Sequence, residues 1–210
     1  MLSNSKFTLA SESFKMKRGF TLTELLTVIA IIAILLGILI PGVLSIQKNA
    51  KRKKTEALFG KVINSLTLYR KDHGAYPDLS GTLKGGDIIV NLNNVDQWSR
   101  FTEILALSQP DGSAFDSPEE RSLIREQNPK YRRYFDLQLS ELEAIAGAER
   151  LVDAFGNPHI YVVMDADLDG SIDQGTLPDS VDKDLRQRIV VFTKDEGEDD
   201  FPEVRSWDSF

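Results

Sequence analysis

Cysteine is missing from all 210 residues, so the chain has no disulfide framework, thiolate zinc site or cysteine nucleophile. Histidine is almost missing: His73 and His159 are too few to build a histidine metal centre, which leaves carboxylates as the ligand set and makes any bound metal a hard one. Basic charge is short as well, with 25 Lys and Arg against 32 Asp and Glu and a net charge of −7. The first nineteen residues take four of those bases (Lys6, Lys15, Lys17, Arg18) and one acid (Glu12), so the rest holds 21 bases and 31 acids, a net −10. Such a body lacks the basic face that phosphate neutralisation needs, and nucleic acid is not an expected partner. The sequence shows no nucleophile elbow, no phosphate-cradling glycine loop and no histidine paired with an acid in a recognisable spacing, so no enzyme is expected. The balance of 41% hydrophobic and 27% charged residues is that of a folded chain.

One long hydrophobic run is present. Phe20 to Ile40 reads FTLTELLTVIAIIAILLGILI, and as a helix it would extend roughly 31 Å, about the thickness of a bilayer's hydrocarbon core. A cleaved secretory signal has a shorter apolar region of about 7 to 15 residues and an A-x-A-like site, so this run is expected to stay as an anchor. Glu24 lies near its start, where a carboxylate in an apolar span is a functional hypothesis that needs a partner.

The residues around it form a motif: Lys17-Arg18-Gly19-Phe20-Thr21-Leu22-Thr23-Glu24-Leu25-Leu26 resembles the cleavage and methylation motif of type IV prepilins and type II secretion pseudopilins. The resemblance runs from Lys17 to about Pro77. It implies that a prepilin peptidase cuts between Gly19 and Phe20 and methylates the new amino terminus. It also implies that Glu24 pairs with the terminal amine of a neighbouring subunit during assembly, in keeping with the rule that buried charges are tolerated as pairs. Pro41, followed by Gly42, matches the helix-breaking position after the family's apolar run, where the helix bends or unwinds on packing. The implied organisation is a cleaved cytoplasmic leader over 1–19, a transmembrane and polymerisation helix over 20–41, an amphipathic stem over 42–74 and an extracytoplasmic globular domain over 75–210. Lys15, Lys17 and Arg18 beside the span agree with a cytoplasmic leader. Lys48, Lys51, Arg52, Lys53 and Lys54 beyond its other end read as a solvated helix face near lipid headgroups.

After Pro41, Phe59, Val62, Ile63, Leu66 and Tyr69 recur at helical spacing and predict an amphipathic helix to about His73, ended by Gly74. His73 is expected to act as a cation at that helix terminus. Trp98 to Leu107 reads as a second helix. Ser117-Pro118-Glu119-Glu120 reads as a helix start capped by the serine, and Leu137 to Val152 as a further helix or loop covering the sheet. The turn Asp153-Ala154-Phe155-Gly156-Asn157-Pro158 leads into a strand over His159 to Met164, with another expected over Arg188 to Thr193. The fold class is therefore α+β: a long N-terminal helix packed on a small antiparallel sheet, with extra short helices.

Two acidic loops are candidate calcium sites. Asp165, Asp167, Asp169, Ser171 and Asp173 alternate around Gly170, the spacing that wraps oxygens round calcium, although the twelfth position is Thr176 rather than a bidentate glutamate. In pseudopilins calcium binds after the last strands, and the resemblance points there to Asp195, Asp199 and Asp200, beside Glu196 and Glu198. The implied function is that of a pilin-like structural subunit of a type II secretion pseudopilus that supports protein export. A type IV pilus subunit for adhesion, motility or DNA uptake is the alternative, and a membrane-anchored calcium-binding module a third reading. The absence of a C-terminal cysteine pair favours the pseudopilin. Its implied partners are further copies of itself, minor pseudopilins, the prepilin peptidase, an inner-membrane assembly platform and membrane lipid. Its implied location is the inner membrane, single-pass, with the C-terminal domain on the periplasmic side.

Overall fold

The computed structural model describes residues 20–80, 86–118, 121–178, 180–194 and 201–208. Its chain falls into two units, Met1–Ile46 and Gln47–Phe210, and the helix α1, Leu22–His73, contributes to both. The helical backbone continues through Pro41.

In the second unit the stripe predicted for the stem is the buried one. Phe59, Val62 and Leu66 are wholly buried, Tyr69 nearly so, and Ile63 packs against the same core. Lys48, Lys51, Arg52, Lys53 and Lys54, in the turns before the stripe, are exposed. Gly74 ends α1 with φ +82°, and its N–H donates to Arg70 O at 2.8 Å. His73 closes the last turn of α1. Its ring stacks on Tyr69, 4.3 Å between centroids, and its Nε2 shares a 3.0 Å hydrogen bond with the Tyr134 hydroxyl. Partial burial and the nearby Lys130 hold its pKa below the usual histidine range, against the opposing pull of Asp72.

β1 (Ile88–Asn91), β4 (Ile160–Met164) and β5 (Ile189–Thr193) form one antiparallel sheet with β4 in the middle, Ile88 opposite Met164 and Val162 opposite Val191. The chain's end extends it: Thr193 N–H donates to Val204 O, and Ser206 N–H to Val191 O. β5 has no polar alternation because both faces are covered. One face, with Val90, Val162 and Val191, joins the core of the stem, while Val163, Val190 and Phe192 pack under Ile172, Leu177 and Val181.

Three expectations are corrected. The second helix is α2, Val95–Phe101, capped by Asn94, and it continues as a π-helical turn, Thr102–Ala106, with Leu107 left-handed at φ 52°. Asn94 wins the start because its side chain accepts the N–H groups of Asp96 and Gln97. The helix expected from Ser117 comes in two pieces: a tight turn opens at Pro118, where Arg121 N–H donates to Pro118 O at 3.1 Å, and α3 (Ser122–Gln127) starts after it, with Arg121 before it. Glu119 and Glu120, part of the expected start, lie outside the described residues. The segment 137–152 is mainly a hairpin, β2 (Leu142–Ile145) with β3 (Ala148–Leu151), entered through a 3-10 turn at Leu139–Glu141. Ala146 and Gly147 both take positive φ, 51° and 83°, the conformation of a two-residue hairpin turn.

Candidate functional site

The first candidate site is the beginning of α1. Gly19 lies outside the described residues; Phe20 is 86% exposed. Thr21 precedes the helix, and its N–H and hydroxyl both donate to Glu24 Oε2 at 2.8 Å, while Glu24 N–H donates to Thr21 Oγ1 at 3.2 Å. This reciprocal pairing is a capping box, and Thr21-Leu22-Thr23-Glu24 carries its sequence signature. The carboxylate that the sequence left without a partner is thus held by its own helix start. The side chain of Pro41 lies outside the described residues.

Among the described residues from Phe20 to Ile46, sixteen large apolar side chains are exposed, including the neighbours Leu25 and Leu26, Ile31 and Ile32, and Ile34, Leu35 and Leu36. Neighbouring positions on a helix point in different directions, so the segment is apolar all round rather than along one stripe, the pattern of a helix enclosed by apolar surroundings. At about 1.5–3 kcal/mol for each such side chain, burying them amounts to tens of kcal/mol. Among the described residues no helix is long and apolar enough to cross a membrane.

The second candidate site is the acidic loop after β4. Carboxylate oxygens of Asp87, Asp165 and Asp167 lie within 4.8 Å of one another. β1 and β4 supply the reason: Ile88 faces Met164, so Asp87 and Asp165 flank the end of the same ladder. Asp165 is fully buried and its N–H donates to Arg188 O, continuing the sheet. Its Oδ2 accepts Gly170 N–H at 3.1 Å, and its Oδ1 has no hydrogen-bond partner. Asp87 Oδ2 accepts Asp173 N–H, and Asp87 Oδ1 is again buried without a partner. Burial, and the like charges of Asp173, Asp167 and Asp165, push the Asp87 pKa above the usual aspartate range, outweighing the bond from Asp173. Asp169 turns elsewhere, accepting both the N–H and the hydroxyl of Ser171 at 2.8 Å. Of the alternating acids named from the sequence, Asp165 and Asp167 therefore converge with Asp87, and Asp169 and Asp173 are not in that group. Asp87 was missed because it stands just before β1, far from the loop in sequence. Asp195, Glu196, Glu198, Asp199 and Asp200 lie outside the described residues.

A third polar centre ties the stem to the turn before β4. Asp153 is nearly buried; its Oδ1 accepts the N–H groups of Phe155 and Asn157 at 2.8 and 2.9 Å, and its Oδ2 the Thr55 hydroxyl at 3.3 Å. Burial nevertheless wins over these bonds and raises its pKa. Its role is structural, locking the turn against α1.

Residues 14–40 match the family model described as the prokaryotic N-terminal methylation motif. The type IV wide pilus major component PilA4 of Thermus thermophilus is 42% identical over 59 residues, 28% of this chain and 45% of that protein. A ComG operon protein 3 homolog of Bacillus licheniformis is 38% identical over 77 residues, 36% of this chain and 79% of that protein. The type II secretion system core protein G of Pectobacterium carotovorum is 31% identical over 68 residues, 32% of this chain and 44% of that protein. The chain spans a little under half the length of the wide pilus component and of core protein G. No solved structure matches it.

Proposed function

This chain belongs to the type IV pilin-like family, whose named relatives are components of pili and of a secretion system rather than enzymes, and we propose that it is a structural subunit of a type II secretion pseudopilus. The observation that carries the reading is the all-round apolar beginning of α1 beside the methylation motif. In this reading the peptidase cuts between Gly19 and Phe20, and the apolar helix holds the subunit in the inner membrane as a single span, with the domain after it on the periplasmic side. The same surface then packs against neighbouring copies in the filament, where helices replace lipid. Glu24 exchanges its contacts with Thr21 for the methylated amine of the next subunit, which fixes the stagger between copies. Pro41 is the place where the helix opens as it packs. Minor pseudopilins and the assembly platform complete the partners.

Likeness to several core protein G relatives supports the secretion assignment. A type IV pilus subunit is the second reading, favoured by the 42% identity to the wide pilus component. Mass spectrometry of protein extracted from its own membrane is expected to find a chain beginning at N-methylated Phe20; a chain that retains its leader overturns the proposal. Deletion of the protein separates the two systems: loss of exported proteins with surface filaments intact supports secretion, and the converse supports the pilus.

A further inference from the structure

We propose that Asp87, Asp165 and Asp167 form a divalent-cation site of the calcium type that clamps the start of β1 to the loop leaving β4. Its residues are not those of the acidic segment after β5, and it rests on three observations. The first is convergence: oxygens bound to one calcium at about 2.4 Å sit at most ~4.8 Å apart, and the three carboxylates meet that limit. The second is the pair of buried, unpartnered oxygens. Buried polar atoms are nearly always satisfied, and an exception asks for an ion or water. Here Asp165, fully buried, leaves Oδ1 without a donor, and Asp87 does the same. The third is charge. Like charges flanking the same rung of a ladder repel, and among the described residues no Lys, Arg or His forms an ion pair with any of the three.

The donor set is all oxygen and all anionic, which selects a hard cation. The loop is shaped to present it: Leu168 and Gly170 take positive φ, 67° and 92°, and turn the chain back so that Gly170 N–H reaches Asp165. Three carboxylates fill part of the roughly six to eight positions that calcium takes, with no bidentate glutamate among them, so the affinity belongs in the range of about 10⁻⁴ to 10⁻³ M found in extracellular modules. A cation there would join two segments that backbone pairing brings together, and beyond them it would steady Ile172, Leu177 and Val181 on the outer face of the sheet.

The test uses the full chain in detergent, stripped with EDTA and then given calcium chloride. At about 10 mM calcium the wild type is expected to gain ~3–8 °C in Tm. Asp87→Asn is expected to lose that response and, with one like charge removed, to melt no lower than wild type in EDTA. A purely structural role, holding Asp173 N–H, predicts the opposite: a lower Tm in EDTA with the calcium response kept. Asp167→Asn, at an exposed position that the core does not use, covers the case in which Asp87→Asn fails to fold, and is expected to weaken binding at least tenfold by calorimetry. The combined Asp195→Asn, Asp199→Asn and Asp200→Asn variant is expected to keep the Tm shift. A wild type that ignores calcium overturns the proposal, as does a shift lost in the triple variant and kept in both Asp87→Asn and Asp167→Asn. Each readout is independent of filament assembly.

Discussion

At the scale of single residues, the polar groups that matter are the ones burial sets against their own charge. Asp153 has its pKa raised by burial, so the folded state binds its proton more tightly than the unfolded chain does. Stability from this group is then complete below the unfolded pKa, near 4, and is lost as pH rises through the folded value. Asp153→Asn keeps an acceptor for the N–H groups of Phe155 and Asn157 and removes the buried charge. Denaturant melts from pH 4 to pH 7.5 are expected to show the variant gaining on wild type as pH rises; a constant difference would refute the assignment. Asp153→Ala instead removes the acceptor of both N–H groups and strands the buried one of Asn157, at about 1–3 kcal/mol. The sequence marked Asp153 as a turn residue but not as the lock on Thr55, because the partner sits on a distant helix. Glu24 shows the reverse. Its capping partner Thr21 is three residues away, and the signature was there to be read.

At the scale of elements, periodicity identified what burial enforces on one side. The α1 stripe at Phe59, Val62, Leu66 and Tyr69 was legible because a helix with one buried face must repeat its apolar residues every three or four positions. Leu66→Ala, at a wholly buried position, is expected to cost about 2–5 kcal/mol in urea denaturation. The hairpin β2–β3 was not legible, since its four-residue strands are only partly buried and carry little alternation. Its turn places Ala146 at φ 51°, where a Cβ is strained. Ala146→Asn restores the Asn-Gly pair such turns prefer, and it is expected to raise Tm by a few degrees in a thermal melt.

At the scale of the whole molecule, the two units obey different rules. The second satisfies its apolar residues internally, around a sheet covered on both faces. The first leaves its described apolar side chains exposed, and in the proposed reading lipid and other copies cover them. Glu24→Ala is accordingly expected to abolish filaments under the electron microscope while leaving the Tm of the folded unit within about 1 °C of wild type, since surface changes away from packed contacts cost little. The sequence by itself determined the apolar helix, the motif at its start, the stem's buried stripe and the strands β4 and β5, because each is a contiguous pattern whose physics is local. Only the tertiary structure decided that β1 pairs with β4 so that Asp87 meets Asp165, and that Thr55 meets Asp153. Those meetings depend on strand register and helix docking, which are settled by the burial of apolar side chains elsewhere in the chain and leave no mark on the spacing of the acids themselves.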